Sequence, residues 1–230
     1  MSNLGLPVPP GFTITTEACR AYIDAGEMPE SLMESVTENL GELEDASGKR
    51  LGDTEDPLLV SVRSGVAASM PGMMDTVLNL GQNDTAVEGL AQRTGDERFV
   101  RLSYWRFIQM FGDIVLGIDG EKFDEAFDEL KEERGVEEDP DLGADDLDGL
   151  IDTYKRIDKR IVDEEAGRPF PEEPREHLEL AIRAVFDFWN NDWALLPQGV
   201  RHPRRPQHRR DRHAEEDEIE EEQERRLSGG

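Results

Sequence analysis

The chain has a single cysteine, Cys19, among 230 residues, which excludes an internal disulfide and fits a reducing compartment. Lysine is nearly as scarce: Lys49, Lys122, Lys131, Lys155 and Lys159 are the only five, and arginine supplies the other basic residues. No stretch approaches the ~20 apolar residues of a membrane span. The opening MSNLGLPVPPGF has neither the basic nor the apolar region of a secretory signal. Basic residues number 26 against 53 acidic ones, for a formal net charge of −27. Each phosphate contact needs a cation, so nucleic acid and anionic membranes are poor partners for this surface. The expectation is a soluble, cytoplasmic chain that binds neither.

What is present is acid. A carboxylate-rich, lysine-poor surface keeps a protein solvated in concentrated salt at the cost of self-repulsion in dilute buffer. A high-salt cytoplasm is one reading, and an ordinary acidic cytosolic protein with solvated helix faces is the other. The length suits one domain, or one domain with an insertion, and allows a sizeable core.

Prolines hold residues 6–15 extended. A short helix then starts at Thr15 or Thr16 and stops at Gly26, and Pro29 opens a second whose Leu32, Val36, Leu40 and Leu43 share a face, ended by Gly48. Residues 58–63, LLVSVR, read as a short buried strand. From Asp84, expected as a helix cap, the apolar period becomes helical. One short helix ends at Gly95, and Phe99, Leu102, Tyr104, Phe107, Phe111, Ile114 and Val115 mark a long one. Phe123, Phe127 and Leu130 mark a third face, and Leu147, Leu150, Ile151, Tyr154, Ile157 and Ile161 a fourth. Pro171 and Pro174 introduce a last helix with Leu178, Ile182, Val185, Phe186 and Trp189. The fold class is therefore α+β, with a helical insertion at residues 83–168 in a mixed body made of 1–82 and 169–193.

The candidate site follows the strand. Arg63 at its end, then Ser64, Gly65, Ala67, Ala68, Ser69 and Gly72, lets backbone N–H groups approach an anion while a guanidinium supplies charge and a planar donor fork. The alternative is a surface turn with a buried, salt-bridged arginine.

The stretch GDTEDPLLVSVRSGVAASMPGMMDTVLNLG at residues 52–81 closely resembles the signature of the pyruvate, phosphate dikinase family. So do GLPVPPGFTITTEAC at 5–19, YWRFIQMFGDIVLGI at 104–118 and VFDFWNND at 185–192. The resemblance implies part of an ATP-grasp nucleotide domain. That family converts ATP, phosphate and pyruvate to AMP, pyrophosphate and phosphoenolpyruvate through a phosphohistidine on a separate domain. Arg63 falls on the family's nucleotide-phosphate arginine and Arg106 on a second one. Ser69, Met70, Pro71, Gly72, Met73, Met74, Asp75 and Thr76 fall on a loop that closes over the phosphates, with Ser64 and Gly65 at its start. Family members also use Mg²⁺, whose ligands are not expected in this chain, and full-length members dimerise. The family's Gly-Gly-Lys-Gly segment, the second half of the grasp, the phosphohistidine domain and the pyruvate-binding barrel have no counterpart here.

Beyond residue 193 the character changes. Residues 194–230 carry 9 acidic and 8 basic residues, leaving −26 on residues 1–193. The stretch ALLPQGVRHPRRPQHRRDRH can be encoded by codons whose shifted frame reads Ile-Pro-Asp-Asp and Thr-Ala-Val, as in the family's continuation. A frameshifted, disordered tail is the expectation, with a natural tail as the alternative. His202, His208 and His213 have no recognised ligand spacing, and His177, alone on a helix, has no assigned role. The functional expectation is the ATP-binding portion of such an enzyme, inactive by itself. The alternatives are a non-catalytic binding module and the nonfunctional product of a damaged gene.

Overall fold

The computed structural model describes residues 9–65, 76–136, 142–161 and 170–190, without the side chains of 157–161 and 189–190. The tail expected at residues 194–230 lies outside these. Seven helices and two strands occur among the described residues, a mostly helical α+β arrangement. The helices are α1 (Thr16–Ala25), α2 (Glu30–Ser47), α3 (Asp84–Thr94), α4 (Glu97–Ile114), α5 (Gly120–Arg134), α6 (Ala144–Ile161) and α7 (Pro174–Asn190), and the strands β1 (Val60–Arg63) and β2 (Thr76–Leu80) fall between α2 and α3. No helix among the described residues is long and apolar enough to cross a membrane.

Helix ends follow local chemistry. Gly26, Gly48 and Gly95 close α1, α2 and α3 in the left-handed region, where a Cβ would clash with the chain. Asn83, rather than Asp84, caps α3: its backbone is extended and its side chain accepts from Ala86 N at 2.9 Å. Asp84 is the first helical residue, where its charge still faces the positive end of the helix.

Strands β1 and β2 form an antiparallel pair, with Val60 opposite Leu80, Val62 opposite Val77 and Arg63 opposite Thr76. Between the first two pairs, Ser61 faces both Leu78 and Asn79, a bulge in which Asn79 takes a positive φ of 58°. The buried strand expected at 58–63 is corrected: regular pairing starts at Val60, and β1 alternates half-buried Val60 and Val62 with exposed Ser61 and Arg63. Gly81 follows β2 at φ 112°, where a Cβ would meet the Leu58 carbonyl.

Helix α4 is the spine of the core. It packs on α3, α5, α6 and β2, while α7 packs on α1 and both strands. Phe107 and Phe111 of α4 meet Phe170 and His177 edge-on, and Trp105 stacks on Phe127 at 4.9 Å. The Tyr154 hydroxyl, fully buried, donates to the Phe123 carbonyl at 2.7 Å. Phe99, expected on the apolar face of α4, is instead 58% exposed in its first turn.

Candidate functional site

Because Arg63 pairs with Thr76, the chain leaves β1 and re-enters β2 at one place, and residues 64–75 project from the mouth of a hairpin. Thr76, read from the sequence as loop, is thus the first residue of β2 and stands across from Arg63. Arg63 is exposed, Ser64 half-buried and Gly65 exposed. The exposure of Arg63 departs from the buried arginine of the alternative. Ser69, Met70, Pro71, Gly72, Met73, Met74 and Asp75 lie outside the described residues. Arg106 is exposed on α4, one turn before Met110, whose sulfur accepts from Leu78 N at 3.4 Å and holds α4 against β2. The hairpin therefore brings Arg63 and Thr76 together, and Arg106 stands on the helix that backs it.

Arg63, Ser64 and Gly65 lie at one end of a cavity of about 660 Å³ bounded by residues 9–16, α2, β1 and α7. Cys19 lines it, and burial together with nearby Asp187 raises its thiol above the ordinary range, which disfavours the thiolate. Tyr22 donates to Asp187 at 2.7 Å and ties α1 to α7 behind the cavity; burial and that carboxylate push its hydroxyl up to about 12. The loop between α2 and β1 is organised by Glu44. Burial would raise its carboxyl, but hydrogen bonds from Leu51 N and Arg50, both 2.9 Å, outweigh burial and keep it below the ordinary value.

A second polar cluster joins α3, α4, α6 and the segment before α7. Lys155 Nζ lies 2.6 Å from Asp84 and 2.9 Å from Glu172, and Tyr104 donates to Asp84 at 3.1 Å. Burial, then the Asp84 charge, raises the Tyr104 hydroxyl far above the usual range. Among the described residues no group of three or more His, Cys, Asp or Glu is placed to hold a metal ion. Arg63 is the charged residue among the described ones that line the cavity, and Arg106 does not line it.

The family model for the pyruvate phosphate dikinase AMP/ATP-binding domain matches residues 22–197. The chain belongs to this family. It is 49% identical to the pyruvate, phosphate dikinase of Clostridium symbiosum over 197 residues, which is 85% of this chain and 22% of that protein. It is 52% identical to the Giardia intestinalis protein of that name over 83% of this chain and 21% of the relative, and 52% identical to chloroplastic pyruvate, phosphate dikinase 1 of Arabidopsis thaliana over 83% and 19%. The chain spans about a fifth of the length of these curated dikinases.

Sequence reasoning named Arg63 from residue type and resemblance and Arg106 from resemblance alone, and it missed the wall beside Arg63. Phe12, Ile14, Leu40, Leu43, Ile182 and Phe186 line the cavity from separate segments. The one local signal was the apolar run at residues 6–15, too proline-rich to bury itself in regular structure.

Proposed function

We propose that this chain is the part of a dikinase nucleotide domain that receives the phosphates of ATP, and that it is one portion of an ATP-grasp fold. The observation that carries the reading is Arg63, exposed where β1 and β2 meet and the one charged residue among the described residues that line the cavity. Phosphoryl transfer is catalysed mainly by positioning and by fixed cations set against spreading negative charge. Arg63 is held by strand pairing on its backbone, so its guanidinium can meet a phosphate without first ordering the main chain. Ser64 and Gly65 continue from it and let a phosphate oxygen approach backbone N–H groups. Arg106, on rigid α4, adds a second cation.

The family reaction passes through a phosphohistidine, and the one described histidine of this chain is unsuited to that role. His177 is fully buried, and burial lowers its pKa to about 4. The reading assigns this chain to nucleotide binding and gives it no transfer step. No step is assigned to Mg²⁺.

A charge-assisted contact contributes about 1.5–3 kcal/mol, far below the ~8 kcal/mol of a micromolar complex. Titration calorimetry with ATP and Mg²⁺ in molar KCl is expected to give millimolar affinity, lost in Arg63→Ala and weakened less in Arg106→Ala. Micromolar affinity that survives Arg63→Ala, or release of AMP and pyrophosphate by this chain alone, overturns the reading.

A further inference from the structure

We infer that Asn79 is a positioning residue for the phosphate contact: the bulge it makes in β2 turns the Thr76 hydroxyl to the exposed face beside Arg63 and ties that end of the hairpin to α4. The inference rests on the reading of Arg63 as a phosphate arginine. It adds the residue that sets the geometry around it.

The register carries the first step. Directly opposite residues of an antiparallel pair turn their side chains to the same face, with Cβ atoms roughly 5 Å apart. Val60 stands opposite Leu80, and Val62, two residues on, stands opposite Val77, three residues back. The extra residue lies in the bulge that Leu78 and Asn79 form across from Ser61. Without a bulge, a ladder in step with the pair of Val60 and Leu80 would set Leu78 against Val62 and Val77 against Arg63. A slip of one residue exchanges the two faces of a strand. Val77, fully buried in the structure, would then stand out beside Arg63, and Thr76 would turn toward the core. The bulge reverses both. An apolar side chain fills the core, and a hydroxyl stands next to the guanidinium.

Asn79 is what lets the chain bulge at this point. Its φ of 58° is the one positive value at a non-glycine residue among the described residues. In that region the Cβ crowds the following carbonyl, and asparagine is among the few L residues that enter it. Its neighbours Leu78 and Leu80 have no such tolerance.

The bulge also leaves a donor over, because the extra residue of a bulged strand has no partner across the ladder. Leu78 N donates instead to the Met110 sulfur at 3.4 Å. Met110 lies one turn beyond Arg106 on α4, so the same bulge fastens the hairpin to the helix that carries the second arginine. On the exposed face, Arg63 supplies charge and Thr76 an O–H that can donate to a phosphate oxygen, on two strands held in one register.

The test uses the whole 230-residue chain in molar KCl, with Asn79→Gly, Asn79→Ala, Asn79→Val and Thr76→Val. Glycine takes a positive φ freely, alanine sets only a Cβ against it, and valine favours a flat strand. Before nucleotide is added, nuclear Overhauser contacts across the hairpin report the register. Residue 63 is expected to meet residue 76 in the wild type and in Asn79→Gly, and residue 77 in Asn79→Val. ATP with Mg²⁺ is then titrated and followed by amide chemical shifts. Asn79→Val and Thr76→Val should each weaken binding about tenfold, the size of one lost charge-assisted hydrogen bond, whereas Asn79→Gly should restore it to within twofold of the wild type. The two valines together should be no worse than Thr76→Val alone, since both remove the same contact. Asn79→Ala should lose about threefold, and it decides the matter if Asn79→Val does not fold. Equal losses in Asn79→Gly and Asn79→Val overturn the inference, because the side chain and not the backbone would then be at work. So does a pairing of 63 with 76 and an affinity that are unchanged in Asn79→Val and Asn79→Ala, or a double variant in which the two losses multiply. A wild type that binds no ATP overturns the phosphate reading instead, and the contacts of residue 63 then still decide whether Asn79 sets the register.

Discussion

The surroundings of His177 and the surroundings of β1 are built in opposite ways from one chain. At His177 every face is closed: Phe107, Phe111 and Phe170 stand 5.0–5.5 Å from its ring, and its Nε2 meets the Pro171 carbonyl at 2.5 Å. Beside β1 the apolar side chains Phe12 and Leu59 remain more than one-third exposed, at a cavity of about 660 Å³. The helical side draws its stability from its own contacts. Among the described residues, the sheet side leaves apolar side chains exposed next to Arg63, the charged residue that lines the cavity.

The largest expected effect lies in the closed region. Phe111 is fully buried at the centre of the ring cluster, so Phe111→Ala should lower unfolding free energy by about 3–5 kcal/mol in a urea titration. A loss below about 1 kcal/mol would mean that the ring cluster is no more self-sufficient than β1, and the contrast would collapse.

Next comes pH. Burial lowers His177 to about 4, with Lys155 lowering it further and the Pro171 hydrogen bond opposing, against 6.5 for the free side chain. The unfolded chain then binds a proton that the folded chain does not, so stability is complete above about pH 6.5 and falls as pH drops toward 4. The physical cause is that Nε2 donates to Pro171, leaving Nδ1 buried without a hydrogen-bond partner; a proton there would have nowhere to point. Roughly 3 kcal/mol is at stake across the whole window. Measured between pH 6.5 and 5, above most carboxylate titrations, the slope should flatten in His177→Gln. An unchanged slope would place the pH response elsewhere.

How legible these two regions were from sequence differs for physical reasons. Helices announce themselves through three- and four-residue spacing and through glycines such as Gly26, Gly48 and Gly95, so α1 to α4 could be read almost to their ends. The cap of α3 slipped by one because Asn83 and Asp84 are both good caps, and only the extended backbone of Asn83 decides between them. Strand β2 was hidden by its bulge: with Leu78 and Asn79 both opposite Ser61, the inward residues Val77 and Leu80 are three apart and the period of two is broken. Arg63 was named from residue type and family resemblance, and Arg106 from the resemblance alone. The cavity could not be, because its walls come from residues 9–16, α2, β1 and α7, which only the tertiary fold assembles. His177 looked idle because a buried histidine and an exposed one are the same letter.

Salt should act on the molecule as a whole. With −27 on 230 residues, repulsion in the folded state is screened as the Debye length shrinks from ~10 Å at 0.1 M to ~3 Å at 1 M. The thermal midpoint is expected to rise with KCl into the molar range. The rise should persist in Lys155→Met, because removing one ion-paired lysine leaves the net repulsion in place. A midpoint unchanged between dilute and molar KCl would show that the acidic surface sets no salt requirement.

The smallest expected effect is the sharpest probe of the comparison. Leu59 is 37% exposed and sits at the start of β1, so Leu59→Ser removes little buried area and should shift stability by no more than about 0.5 kcal/mol. The same change made at a buried position of similar size, Leu150→Ser, should cost several kcal/mol, since it opens a cavity and leaves a hydroxyl without a guaranteed partner. The informative quantity is the ratio. If Leu59→Ser proves as damaging as Leu150→Ser, the start of β1 is as tightly packed as the helical core and the contrast fails. If it is silent while Leu150→Ser costs several kcal/mol, the side chain at the start of β1 contributes little to the folding energy that the helical side supplies.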